Sequence, residues 1–132
     1  MLVGFSLSDF SILAPPFQLL TMSGGMSDLF EDGIFFFNAG RYFEAHEAWE
    51  DMWRPAKGPL RFFYQGLVQA AVGLHHLSRG NTNGATAQLQ KSISKLEQYP
   101  DRFCRIDNRK LVADLRMILS SMSSQPVQIE KL

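Results

Sequence analysis

An all-α fold, a compact bundle of about five helices with tetratricopeptide-like antiparallel hairpins, is predicted from three features of the sequence. Apolar residues recur at helical spacing from Asp28 onward, glycine or proline punctuates the chain at the ends of these stretches, and no segment alternates convincingly like a strand. The first helix is expected to start at Asp28, where Glu31 three residues later resembles a capping box, and to end before Gly40, which stands where a left-handed C′ residue would. A second should run from about Arg41 to Trp53 and stop before Pro55. Gly58-Pro59 opens a third, since proline in the first turn costs no hydrogen bond, and it should continue to about Arg79. At ~1.5 Å per residue this would be the longest element, roughly 30 Å. Asn81 or Thr82 can cap a fourth helix that runs to Tyr99 and halts at Pro100. Asp107 can cap a fifth, along which Leu111, Leu115, Ile118 and Met122 form an amphipathic stripe.

The chain divides into an irregular arm over residues 1–26, a helical domain over 27–122 and a tail over 123–132 with Pro126. The arm holds one charged side chain, Asp9, and no Lys or Arg, so it lacks the basic region of a signal peptide. Its uncharged run from Phe10 to Ser27 is 18 residues long and contains Pro15-Pro16, which makes it a poor membrane helix. Met22 and Met26 are alternative starts. An internal echo occurs at an offset of 40 residues: Gly40 and Ala45 align with Gly80 and Ala85, Trp49 with Leu89, and Trp53 with Ile93. A glycine ends one helix, an alanine permits close contact in the next, and a large apolar residue follows. The pattern resembles the turn and second helix of a tetratricopeptide hairpin.

Composition narrows the function classes. Of 132 residues, 45% are hydrophobic, enough for one core without a metal or disulfide to hold it. Thirteen basic and thirteen acidic side chains leave no net charge, so neither nucleic acid nor a membrane surface is an expected partner. Cys104 is the one cysteine, which precludes an intrachain disulfide and fits a reducing, cytoplasmic setting. Arg102 and Arg105 flank it, but a structural role outweighs a nucleophilic one.

The densest chemistry lies between Tyr42 and Arg54. His46 and Glu50 are four apart and share a helix face, Tyr42, Trp49 and Trp53 lie on or beside that face, and Glu47 stands in a neighbouring acidic row with Glu44 and Asp51. An imidazole and a carboxylate flanked by aromatic rings can bind a divalent metal or share a proton at low dielectric. The zinc-protease motif has a second histidine where this chain has Glu50, so that mechanism does not carry over. On the third helix, Gln65, Gln69, Val72 and His76 form one stripe among apolar residues. Gly66 and Gly73 weaken that helix by roughly 1 kcal/mol each, which implies close approach of a neighbour. If the second helix is that neighbour, Gln65 and Gln69 meet His46 and Glu50. Of the adjacent His75 and His76, the latter is favoured to face the site. The competing reading is structural: a His–Glu–Gln cluster is more often a hydrogen-bond network, and Tyr42, Trp49, Trp53 and the run from Ile34 to Phe37 are natural core.

Three segments together resemble a known family, domain-of-unknown-function family 309. They are the segment from Phe37 to Glu50 containing His46-Glu47-Ala48-Trp49-Glu50, the segment from Phe63 to Ala71 containing Gln65-Gly66-Leu67-Val68-Gln69 with His76 downstream, and Gly80-Asn81 with Gly84-Ala85. The resemblance spans about residues 28–120. It implies a helical bundle in a bacterial, archaeal or plastid-lineage setting. Proteins similar to this have been labelled metal-dependent hydrolases, which implies a role for His46, Glu47 and Glu50.

Three functions follow as expectations. In a metal-dependent hydrolase, His46 and Glu50 are ligands, His76 or a glutamine completes the shell, and Glu47 is the general base. In a metal-free pocket, Gln65, Gln69, Tyr42 and Trp49 bind a small polar molecule. In a non-catalytic helical-hairpin module, the partner is a protein and the polar cluster only fixes helix register.

Overall fold

The computed structural model describes residues 26–132, with side chains from Leu29 onward. The expected arm, apart from Met26, therefore falls outside the described residues, and α1 already runs at Met26, so Asp28 lies inside the helix rather than at its start. Five helices carry the architecture: α1 (Met26–Asn38), α2 (Tyr42–Trp53), α3 (Gly58–Ser78), α4 (Thr82–Leu96) and α5 (Asn108–Ser121). Each packs on its neighbour in sequence, with α3 against both α2 and α4. The bundle is all-α, as the spacing of apolar residues predicts. Phe37, Trp49, Phe63, Leu67, Leu89, Leu96, Leu111 and Leu115 fill its centre.

The internal echo is a repeated turn. Gly40 and Gly80 both take left-handed backbone, with φ of 77° and 78°, which glycine adopts at little cost. After the first, Arg41 N–H bonds to the Phe36 carbonyl at 2.8 Å and Gly40 N–H to Phe37 at 3.0 Å. After the second, Asn81 N–H bonds to His76 at 2.9 Å and Gly80 N–H to Leu77 at 3.0 Å. These are two copies of the Schellman arrangement. Ala45 and Ala85, at matching places in the following helices, are both fully buried. The second turn is strengthened by Asn81, whose side chain accepts from Gly84 N–H at 2.9 Å and caps α4.

The glycines of α3 have a different neighbour from the one expected. A Cβ on Gly66 would lie 2.8 Å from Leu96, and one on Gly73 would lie 2.8 Å from Leu89, so both glycines admit α4 rather than α2. Ser92 seals this close seam by donating to the Gly66 carbonyl at 2.7 Å. The corresponding close approach to α2 is made by Gly33 of α1, where a Cβ would fall 2.0 Å from the Trp49 ring.

Two features run against the sequence reading. Arg102–Phe103 (β1) and Ile106–Asp107 (β2) form a small antiparallel hairpin. Two-residue strands are too short to show alternation, and the turn places Cys104 and Arg105 at positive φ without the glycine or asparagine that usually announces it. The expected tail is also tied down. Val127 and Ile129 are buried, Asp107 N–H bonds to the Glu130 carbonyl at 2.8 Å, and Leu132 N–H bonds to Arg105 at 2.9 Å. Asn38 pairs with the tail much as a strand would. Its amide donates to the Ile129 carbonyl at 2.9 Å and its oxygen accepts from Ile129 N–H at 2.6 Å.

Candidate functional site

The polar cluster is built on the hairpin of α2 and α3. Arg61 lies over the Trp53 ring, 4.5 Å from its centroid, near the turn, and Phe43 meets His75 at 5.4 Å at the far end. This antiparallel register brings the Gln65–Gln69 stretch level with His46 and Glu50. His46, Glu47, Glu50 and Gln69 are all buried, while Gln65 is half-buried.

His46 is 1% exposed, and burial, aided by His75 and Arg54, lowers its pKa to about 3. It is a neutral imidazole near neutral pH. Its Nε2 stands 3.3 Å from Glu50 Oε1, without the alignment of a hydrogen bond. Burial raises the Glu50 pKa, opposed by Arg54. Glu47 is pushed up to about 7 by burial, with Glu44 and Asp51 adding repulsion. Glu50 Oε1 and Gln69 Oε1 are buried with no hydrogen-bond partner, and so is Trp53 Nε1 at the turn end of the hairpin. Buried polar atoms are usually paired, and each exception calls for a physical reason.

The other expected residues are placed elsewhere. Trp49 is fully buried, donates to the Phe30 carbonyl at 3.3 Å and packs on Phe37. Tyr42 packs edge-on against Phe37 at 5.2 Å, and its hydroxyl meets the Val127 backbone. Both turn towards α1 and the tail, which agrees with the core reading of these rings. Phe35, from the same apolar run, is 68% exposed instead. His76 lies on the α4 side: its Nδ1 is 3.2 Å from Asn81 Nδ2, and it lines an open surface pocket with Phe43, His75, Arg79 and Asn81. The histidine whose charge reaches His46 is His75. Cys104 is half-buried, and burial raises its pKa, which opposes the flanking arginine.

A divalent metal is the cofactor implied by the family resemblance. The neutral His46 nitrogen is a suitable donor, and Glu50 stands beside it. Yet among the described residues no three His, Cys, Asp or Glu side chains are gathered where one ion could hold them. His46, Glu50 and His76 therefore do not form a shell by themselves. Among the described residues, no helix is long and apolar enough to cross a membrane.

Sequence reasoning overlooked Gln88 on α4, which is 4% exposed with an unpartnered Oε1. A signal was available: Gln88 falls three residues after Ala85 in the 3–4 pattern that continues through Leu89, Ser92, Ile93 and Leu96, the buried face of α4.

The class defined by this fold and cluster is a small helical bundle built on repeated helical hairpins with a buried His–Glu–Gln seam. Residues 30–87, from within α1 to the first turns of α4, match the family model described as "Domain of unknown function (DUF309)". An "Uncharacterized protein" of Aquifex aeolicus (strain VF5) is 26% identical over 96 residues, covering 72% of this chain and 29% of that protein. The "Uncharacterized protein YpuF" of Bacillus subtilis (strain 168) is 42% identical over 64 residues, covering 46% of this chain and 36% of its own length. The matched stretch is thus about a third of the length of either relative.

Proposed function

We propose that the seam between α2 and α3 binds a small polar ligand without a resident metal. Gln69, Glu50 and His46 orient the ligand, and Glu47 is the acid–base group at its edge. The observation that carries this reading is Gln69 Oε1, buried on α3 with no hydrogen-bond partner, while Glu50 Oε1 on α2 has only the misaligned His46 Nε2 beside it at 3.3 Å. A network that served only to fix helix register would satisfy its own members, because an unmade buried hydrogen bond costs about 1–3 kcal/mol. Groups held unpaired in the protein are available to a ligand, at the expense of stability. A Glu47 carboxyl with a pKa of about 7 exchanges its proton near neutrality, as an acid–base group should.

The test compares thermal unfolding of the wild type and Gln69→Leu with and without the small-molecule fraction of a bacterial extract stripped of metals by chelator. The reading expects the extract to raise the melting temperature of the wild type and not that of the variant. An unchanged wild type, together with a Gln69→Leu variant markedly less stable than it, would return the cluster to a structural role.

A further inference from the structure

At the end of α3 away from the Arg61–Trp53 contact lies an open pocket of about 540 Å³, lined by Phe43 of α2, His75 and His76 of α3, and Arg79 and Asn81 of the turn that follows. That volume is within the range of small-molecule pockets. The pocket shares no residue with the Glu50–Gln69 seam, and its chemistry is different.

Several acceptors around it are already taken. The His75 carbonyl accepts from Arg79 N–H and Ser78 Oγ, the His76 carbonyl from the N–H groups of Arg79 and Asn81, and the Leu77 carbonyl from Gly80 N–H. Asn81 Oδ1 accepts from Gly84 N–H at 2.9 Å. That bond fixes the orientation of the amide, so the atom 3.2 Å from His76 Nδ1 is the donating Nδ2. His76 Nδ1 is therefore an acceptor, and the neutral ring carries its proton on Nε2. Burial lowers the pKa of both His75 and His76, so near neutral pH each is an uncharged ring with one N–H. Arg79 is exposed and brings a permanent charge, and among the described residues no carboxylate pairs with it. No acid lines the pocket, and Glu44, whose charge reaches His75, pairs with Arg41 at 3.0 Å.

The lining thus combines N–H donors with one fixed positive charge. Three donor-bearing groups, one of them a guanidinium fork, suit the three terminal oxygens of a phosphate monoester better than the two of a carboxylate. Phe43, whose ring centroid is 5.4 Å from that of His75, adds an apolar wall for the organic part.

We propose that this pocket binds a small phosphate monoester, with Arg79, His75 and His76 on the phosphate and Phe43 against the esterified group. Asn81 is a positioning residue: by accepting from Gly84 and donating to His76, it holds the imidazole in the tautomer that donates from Nε2. The assignment does not depend on the ligand proposed for the α2–α3 seam.

The probe is phenyl phosphate, titrated into the whole chain near neutral pH at constant ionic strength, with the imidazole ring signals read by NMR. The chain has three histidines, and the signals of His75 and His76 are assigned by their loss in His75→Gln and His76→Gln. So small a probe should bind with a dissociation constant of about a millimolar. The expected result is a saturable shift of the His75 and His76 signals. Arg79→Gln, a change to an exposed side chain, should weaken binding by about tenfold or more. Benzoate and inorganic phosphate are run in parallel and should both bind more weakly. Benzoate binding as tightly as phenyl phosphate would overturn the phosphate assignment, and inorganic phosphate binding as tightly would overturn the ester. An Arg79→Gln variant that binds like wild type, or a shift of His46 alone, would overturn the pocket, as would three unmoved histidine signals.

Discussion

Two of the places where polar side chains reach the interior are treated in opposite ways. Where α1 meets the tail, Asn38 uses both ends of its amide on Ile129, and its own carbonyl accepts from Gln128 Nε2 at 2.8 Å. On α3, by contrast, Gln69 keeps a buried oxygen without a hydrogen-bond partner. The same kind of side chain can close a fold or hold a place open, and burial alone does not say which. The partner inventory distinguishes them: the Asn38 amide is satisfied by Ile129, whereas the Gln69 oxygen is not, and the proposed ligand would complete it.

The largest effect is expected where the amide is satisfied. Asn38→Leu strands the Ile129 N–H and carbonyl, and should cost about 3 kcal/mol in urea unfolding. Loss of this pairing should also release the tail, so amide exchange at Ile129 should quicken more than at Leu67. A variant within experimental error of wild type would mean that Asn38 does not hold the tail. A smaller loss of about 1 kcal/mol is expected for Asn81→Ala, which removes the cap of α4. The same unfolding assay reads it, and no change would separate the second repeat turn from the stability of the bundle.

The pH dependence sharpens the other end. Glu47 has an ordinary pKa of 4.5 and about 7 in the fold, so the native state holds an extra proton between these values and stability falls as pH rises through that window. His46 has an ordinary value of 6.5 and about 3 in the fold, so the unfolded state holds the extra proton and stability rises with pH from 3 to 6.5. The two slopes oppose each other where the windows overlap. Burial also raises Glu50, with the same sign as Glu47. Glu47→Gln should therefore expose the His46 slope, giving a steeper rise in stability up to about pH 6.5 in urea titrations across pH. A profile parallel to that of the wild type would show that Glu47 is not shifted.

Much of the bundle was legible because its signals are local. Gly40, Gly80, Pro59, Asn81 and Asp107 mark helix ends by backbone geometry and capping, which depend on a few neighbouring residues. The hairpin at Arg102–Asp107 was not legible because its two-residue strands show no alternation and its turn lacks Gly or Asn, and the anchored tail was not because it depends on a distant pairing, Asn38 with Ile129. The candidate site was half legible. Four-residue spacing identified His46 with Glu50 and Gln65 with Gln69, but spacing along one helix cannot say which neighbour a face meets. Gly66 and Gly73 accordingly admit α4, not α2, and Gln88 was hidden because its burial depends on how α4 packs onto the bundle.

The most direct measurement is the stability of Gln69→Met against wild type by urea unfolding, without ligand. Methionine keeps the length and removes the unpaired amide. If its oxygen is held open for a ligand, the variant should lie within about 0.5 kcal/mol of wild type or above it. A loss of about 2 kcal/mol or more would mean that the amide supports the fold, and the account of a site at this seam would be contradicted.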